Sequence, residues 1–453
     1  MGNFSSKKTN TLDMTEGSIA SLLVMFALPL LLGNFFQMLY NTVDFLVVGN
    51  FVGKEALAAV GSTGPITNIQ IFFFNGVATG AGVVISRYFG AKNDAELHTA
   101  ISTAIVITFA VSAAFTFLGI VSVPFMLRMM STPDDVIKEA SVYLRIYFAG
   151  ISGLLIYNMG SGILRAVGDT TRPLIFLIIT SILNIILDLI FVIIFGWGIA
   201  GVAFATIISQ FISAALVLLL LSYSTEVYRV NWKSLKFSAT HMKEMLIVGI
   251  PMGIQSILTA FSNVFVQGYI NFFGSDCMAA WGCFLKLEQA IFLPMQSLAS
   301  ASTTFVSQNI GAKRNDRVGE GTKQAISMIV VLSIILTAFM YIFSSQLIGL
   351  FSHDAGVIDF GVYFMKRVPF FMVTNAVNHV LAGSLRGRGD SAGPMVIMLL
   401  CFVLFRQLYL YIGTHISNTI AVVSLAYPVG WVSCCIIELG YFYFRWVKKA
   451  RLN

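Results

Sequence analysis

Two short motifs occur twice in this chain, and the interval between them is the same each time. Phe89-Gly-Ala-Lys-Asn-Asp94 returns as Ile310-Gly-Ala-Lys-Arg-Asn-Asp316. Leu164-Arg-Ala-Val-Gly-Asp-Thr-Thr-Arg-Pro173 returns as Leu385-Arg-Gly-Arg-Gly-Asp-Ser-Ala-Gly-Pro394. In both halves 78 residues separate the first glycine from the Gly-Asp pair, Gly90 from Gly168 and Gly311 from Gly389. Such a register means that one structural unit has been duplicated. The sequence between the motifs is almost entirely apolar, so the repeated unit is a bundle of membrane helices. Duplicated helix bundles are a plan used by secondary transporters.

The solvent follows from composition. The chain is 57% hydrophobic and 11% charged, about half the charged share of a soluble domain. Stretches of roughly 20 apolar residues fit a bilayer core, and twelve are expected, centred near residues 30, 68, 110, 150, 183, 210, 258, 290, 335, 372, 403 and 430. The expected fold is an all-α membrane protein of twelve transmembrane helices in two six-helix bundles. Six helices return the chain to its starting side, so the repeats run parallel about an axis along the membrane normal. An N-lobe over 1–222, a polar linker over 223–243 and a C-lobe over 244–453 are expected. The first apolar stretch reads as a retained helix, because no small-residue cleavage site follows a short apolar core.

Most of the 28 Lys and Arg residues fall on the side that carries both termini and the repeated loops, including Lys7, Lys8, Lys92, Arg165, Lys313, Arg386, Lys448, Lys449 and Arg451. By the positive-inside rule both termini are cytoplasmic. The net charge of +7 then reflects this asymmetry and a contact with anionic lipid, with no nucleic acid required. In the repeated loops, Gly-Asp followed by Pro makes a tight turn, and Asn or Asp caps the next helix. Ser131-Thr132-Pro133-Asp134-Asp135 reads as another helix start. The five cysteines show no metal-ligand spacing and read as packing residues.

Ionisable residues inside a membrane are costly, so each is a candidate site. Asp44 lies in the first span and Asp188 in the fifth. Asn184, four residues before Asp188, shares its helix face, and Thr206 in the sixth span adds a hydroxyl. At ~1.5 Å per residue, Asp44 is about 8 Å from the turn at Gly49, Asp188 about 12 Å from Gly196, and Thr206 roughly 10 Å from its helix start. Three helices thus bring oxygens to one level in the first bundle. Such a set holds a small hard cation or shares protons; the plainer alternative is that each acid bonds a neighbouring helix. The matching positions in the second half fall near Val266 and Tyr409. Glu288, with Lys286 nearby, is the acid available there, either for a cationic ligand or as a paired structural charge. Gln37, Tyr40, Asn41, Met295 and Gln296 are candidates for lining a cavity, where re-packable thioether and aromatic groups suit a broad substrate range. Phosphate-loop, zincin and nucleophile-elbow motifs are absent from the sequence, which argues against an enzyme or an ATP-driven pump, and no cofactor is expected.

The residues now resemble a known family. Ala27-Leu-Pro-Leu30, Asn41-Thr-Val-Asp-Phe-Leu-Val-Val-Gly49, Leu183-Asn-Ile-Ile-Leu-Asp188 and Leu164-Arg-Ala-Val-Gly-Asp169 are together similar to multidrug and toxic compound extrusion (MATE) transporters, in particular the DinF-like branch. The resemblance implies that Asp44, Asn184, Asp188 and Thr206 form an N-lobe cation site. It also implies export of organic cations or amphipathic aromatic drugs against Na+ or H+, across a bacterial plasma membrane. The NorM-like branch keeps an acid in the seventh helix, and this chain does not. No obligate protein partner is implied, so a monomer in the lipid bilayer is expected. The rival expectation is a flippase for lipid-linked precursors. It would call for several basic residues in the cavity, where Lys286 and Arg406 are the ones in mid-span.

Overall fold

The computed structural model describes residues 11–130 and 132–447. Lys7, Lys8, Ser131, Lys448, Lys449 and Arg451 lie outside the described residues. Among those described, the chain is helical and has no β-strand. The first six long helices are α1 (Ile19–Val52), α2 (Lys54–Gly90), α3 (Asp94–Met129), α4 (Val136–Ala166), α5 (Thr171–Ile194) and α6 (Gly198–Tyr223). The second six are α7 (Ala239–Asn271), α8 (Ser275–Gly311), α9 (Asn315–Ile342), α10 (Ala355–Gly387), α11 (Ala392–Ile416) and α12 (Ile420–Trp446). Eleven are long and apolar enough to cross a membrane. The exception, α8, is 37 residues long and buries Ser297, Ser302, Thr303 and Ser307 on its inner face. Its lower hydropathy is that of a helix whose polar side is enclosed by its neighbours. The twelve-helix expectation holds.

The repeated motifs adopt one conformation in both halves. Lys92 and Lys313 take positive φ angles of 53° and 59°, a left-handed cap that closes α2 and α8. Gly168 and Gly389 each have φ of 88°. The following N–H of Asp169 and of Asp390 donates back to Leu164 and Leu385, at 2.9 Å in both cases. Each aspartate then accepts from the first turn of the next helix, Asp169 from the Arg172 N–H and Asp390 from the Gly393 N–H, both at 3.1 Å. The turn-and-cap reading accounts for these motifs. Gly168 is held by space as well as by φ, because a Cβ there would lie 2.2 Å from the Leu12 carbonyl oxygen.

Two compact units emerge, and they exchange their leading helical segments. One contains Pro29–Gly249 and the described residues up to Met14; the other contains Thr15–Leu28 and the described residues from Ile250 on. The sequence expectation had no such exchange. The start of α7 is seated in the first unit by named contacts. The Ser238 N–H donates to Thr103 Oγ1 at 3.1 Å, and His241 Nε2 lies 3.0 Å from Glu96 Oε2. In the second unit, Arg317 donates to the Gly17 carbonyl at 3.0 Å, and Leu23 and Phe26 of α1 are buried. Both exchanges occur beside a proline within a helix, Pro29 in α1 and Pro251 in α7.

Inside the first unit, α4 packs directly on α6. A Cβ on Gly150 would meet Ile207 at 2.2 Å, and one on Gly160 would meet Val217 at 2.7 Å. In lipid, where apolar surface gains nothing by being hidden from tails, such close backbone approach is a main source of helix association. It fixes the faces of α4 and α6 that line the site described next.

Candidate functional site

The first unit brings Asp44 and Asp188 together. Their carboxyl groups lie within hydrogen-bonding range of each other, and the Tyr40 hydroxyl lies beside Asp44 and Thr206. Asn184 and Asp188 are fully buried and Thr206 nearly so. Thr206 Oγ1 donates to the Val202 carbonyl at 2.9 Å and lies in hydrogen-bonding range of the Tyr40 hydroxyl. Asp188 Oδ1 is buried and accepts no hydrogen bond from the described residues. Like charges 4 Å apart repel by about 4 kcal/mol even at an effective dielectric of 20. A carboxyl pair in this setting therefore calls for a proton or a cation between its members. The backbone nearby is irregular in a matching way. Both α1 and α5 end in wide π-type turns, over Val48–Val52 and Ile190–Ile194, which touch each other. Such turns recur at functional sites, and here one begins two residues after Asp188.

Tyr143 and Tyr147 of α4 complete the surroundings. They stack with ring centroids 6.3 Å apart, and Tyr143 is close enough to both acids to feel their charge. Neither was expected from sequence. Their positions, with Leu154, Asn158 and Arg165, repeat at helical spacing along one face of α4, and that pattern is the signal that could have found them.

A cavity adjoins the acid pair within the same unit. It lies between α1, α4, α5 and α6 and is partly open. Gln37 and Tyr40 line it, as do Asn158, Arg165, Ser209 and Gln210. Tyr40 thus forms a wall shared by the cavity and the acids. Asn41, the neighbouring candidate, is exposed on α1.

The remaining candidates belong to the second unit and are not part of this cavity. Met295 is fully buried, and its sulfur accepts from Ser333 Oγ at 3.7 Å. Gln296 is exposed, and Glu288 is half-buried on α8, near the Tyr427 ring of α12. Val266 and Tyr409 occupy the places that match the two acids; Val266 is buried, and Tyr409 donates to the Val422 carbonyl at 3.2 Å. A cation has taken up this region. Arg406 is 2% exposed, donates to Ser262 Oγ at 2.6 Å and Asn263 Oδ1 at 2.9 Å, and lies 4.8 Å from the Tyr427 ring centroid. Among the described residues no group of three or more His, Cys, Asp or Glu side chains forms a metal cluster. Any bound cation would rely on the two acids and neutral oxygens.

The MatE family model matches residues 29–190 and again 251–412, which reproduces the internal duplication. Two relatives from Bacillus subtilis span nearly the whole length. The chain is 27% identical to "Probable multidrug resistance protein YoeA", covering 97% of this chain and 96% of that one. It is 28% identical to "Probable multidrug resistance protein YpnP", covering 96% and 97%. It is 23% identical to "Multidrug export protein MepA" of Staphylococcus aureus over 83% of each chain. Among solved structures, the outward-facing conformation of a multidrug resistance MATE family transporter superposes with a TM-score of 0.90 over 97% of this chain and 98% of that one, at 22% identity.

Proposed function

Because the chain belongs to the MatE family of multi-pass membrane transporters, we propose that it is a cation-coupled multidrug antiporter of a bacterial plasma membrane, working as a monomer with both termini cytoplasmic. Inward Na+ or H+ binds at Asp44 and Asp188, with Asn184 and Thr206 supplying neutral oxygens. An amphipathic or cationic drug occupies the cavity bounded by Gln37 and Tyr40 and leaves outward. The observation that carries this reading is the pair of facing carboxyl groups, one oxygen of which is buried without a partner, set behind the tyrosine that walls the cavity. Binding of a cation at the acids and of a drug in the cavity would both act on Tyr40, which gives the two a physical means of competing. The driving force suffices. One charge moving through 100 mV releases ~2.3 kcal/mol, and a tenfold gradient needs ~1.4 kcal/mol.

The names of the relatives support a drug as cargo, and the uncharged second-unit equivalents of the acids support confining ion binding to the first unit. The test is efflux of a fluorescent organic cation from proteoliposomes, with Na+ and pH gradients imposed separately. Uphill efflux that depends on one of the two gradients is expected. Efflux that depends on neither, or that needs ATP, would refute the proposal.

A further inference from the structure

The cavity in the first unit carries one charged side chain, and that charge is positive. Its lining contains Arg165 and no Asp or Glu. Along α4, Leu154 and Arg165 bound the lined stretch, so the cavity is roughly 17 Å long at 1.5 Å per residue. Tyr40, with the acid pair behind it, stands at one end, and Arg165 stands at the other. No described carboxylate lies within 4 Å of Arg165; the ion pairs in this region use other groups. Asp169, the nearest acid in sequence, is occupied by Arg172, whose N–H donates to Oδ1 and whose guanidinium lies 3.4 Å from Oδ2. Thr170, at the start of α5, also lines the Arg165 end, and a helix N-terminus adds positive potential.

The walls between the ends offer acceptors and hydroxyls that nothing in the protein uses. Ser209 is 5% exposed and its Oγ makes no hydrogen bond, and neither does the buried Gln210 Oε1. Polar atoms of this kind, buried and unpaired in a cavity, are satisfied by water or by a ligand.

The geometry points to an anion subsite at Arg165, so that the cavity takes amphipathic ligands bearing a carboxylate at that end, and zwitterions with their cationic group toward Tyr40. A purely cationic drug would have to lie beside an unneutralised guanidinium, which costs affinity. The inference rests on the reading that this cavity holds the exported compound, and it narrows the class of that compound. An arginine presents its donors as a planar fork that matches a carboxylate, which a lone hydroxyl wall would not.

The experiment measures binding of two fluorescent probes to the purified full-length protein without any ion gradient. One is a zwitterionic fluoroquinolone and the other is its methyl ester, which keeps the rings and the amine and loses the carboxylate. Wild type should bind the zwitterion at least tenfold more tightly than the ester. Arg165→Gln should reduce that preference to less than threefold, and Arg165→Lys should retain part of it. Equal affinity for the two probes in wild type overturns the subsite, whether or not the variants fold, and so does binding of neither. A preference that survives in well-folded Arg165→Gln overturns it too. Because no gradient is applied, a failure of ion coupling leaves this result readable. Loss of the binding preference likewise leaves the gradient-driven efflux of a simple organic cation as a separate test of transport.

Discussion

Replacing Asp188 by asparagine separates a coupling role from a structural one, because the amide can keep a hydrogen bond to Asp44 but cannot keep the charge. The native carboxyl faces Asp44, is fully buried, and leaves Oδ1 without a partner. Asparagine has nearly the same shape, removes one negative charge, and supplies an N–H that can donate to Asp44. The repulsion between two carboxylates is about 4 kcal/mol at 4 Å and an effective dielectric of 20. Removing it should leave the cation-free protein as stable as wild type or more so, with an equal or higher Tm. The same 4 kcal/mol is lost as attraction for a bound cation, and at ~1.4 kcal/mol per tenfold this is close to three orders of magnitude in affinity. Uphill efflux should therefore vanish while downhill equilibration of the drug persists. The assay pairs thermal unfolding in detergent with efflux from proteoliposomes at matched protein content. If Asp188 merely braced α5 against α1, the asparagine N–H would keep that hydrogen bond to Asp44, and uphill efflux would persist. Retained uphill efflux by a well-folded variant would sink the argument.

Other consequences follow from particular residues. Glu288→Gln, in the second unit, should change the relative efflux of different drugs more than the Na+ or pH dependence; a shift in ion dependence as large as that of Asp44→Asn would contradict the assignment of ion binding to the first unit. Gly168→Ala should lower the Tm, because φ of 88° and a Cβ 2.2 Å from the Leu12 carbonyl combine a left-handed penalty of roughly 1–2 kcal/mol with a clash; an unchanged melting curve would refute it. Burial raises the Asp169 carboxyl above the ordinary range, against the opposing pull of Arg172. The folded state then holds that proton longer than the unfolded chain, so stability should fall as pH rises from the ordinary carboxylate value through the raised one. Asp169→Asn keeps the cap acceptor and should flatten that part of the Tm-against-pH curve, and an unaltered slope would exclude Asp169 as its source.

The duplication was legible because it is written in turn chemistry. Left-handed caps and Gly-Asp turns tolerate few residues, so two copies of each motif survive in the sequence and carry the same hydrogen bonds in both halves. The acid pair was legible because membrane interiors make a carboxylate conspicuous. Depth along a helix, reckoned from the nearest turn, sufficed to bring Asp44, Asp188 and Thr206 to one level. The cavity was not legible, since its lining is serine, asparagine, glutamine and tyrosine, residues that also serve as ordinary helix-packing groups. Whether Gln210 or Met295 faces a cavity or a neighbour depends on helix rotation, which hydropathy leaves undetermined. Arg165 was hidden for a further reason. It sits inside a motif already accounted for as a turn, yet it lines the cavity. The exchange of leading segments also left no trace, because an apolar helix reads the same whichever unit it packs against.

That exchange bears on how occupancy of the acid pair could be transmitted. Residues Thr15–Leu28 group with the second unit, while the rest of α1, from Pro29 through Asp44, groups with the first. One helix therefore carries Asp44, the proposed coupling acid, and is grouped in part with each unit, with a proline at the junction. Proline removes an i→i−4 hydrogen bond and permits a bend, so the junction is the weakest point in the rod. Any rearrangement of α1 that follows a cation arriving between Asp44 and Asp188 meets that point before it reaches the segment seated in the second unit. The start of α7 is held in the first unit by His241 and Ser238 in the reciprocal way, and Pro251 marks its junction, but α7 has Val266 where α1 has Asp44. The two connections are thus mechanically alike and chemically different. If the proposed cation site is the right one, α1 joins a cation-binding acid to a bendable junction and α7 does not, so the ion's effect on the scaffold should enter through α1.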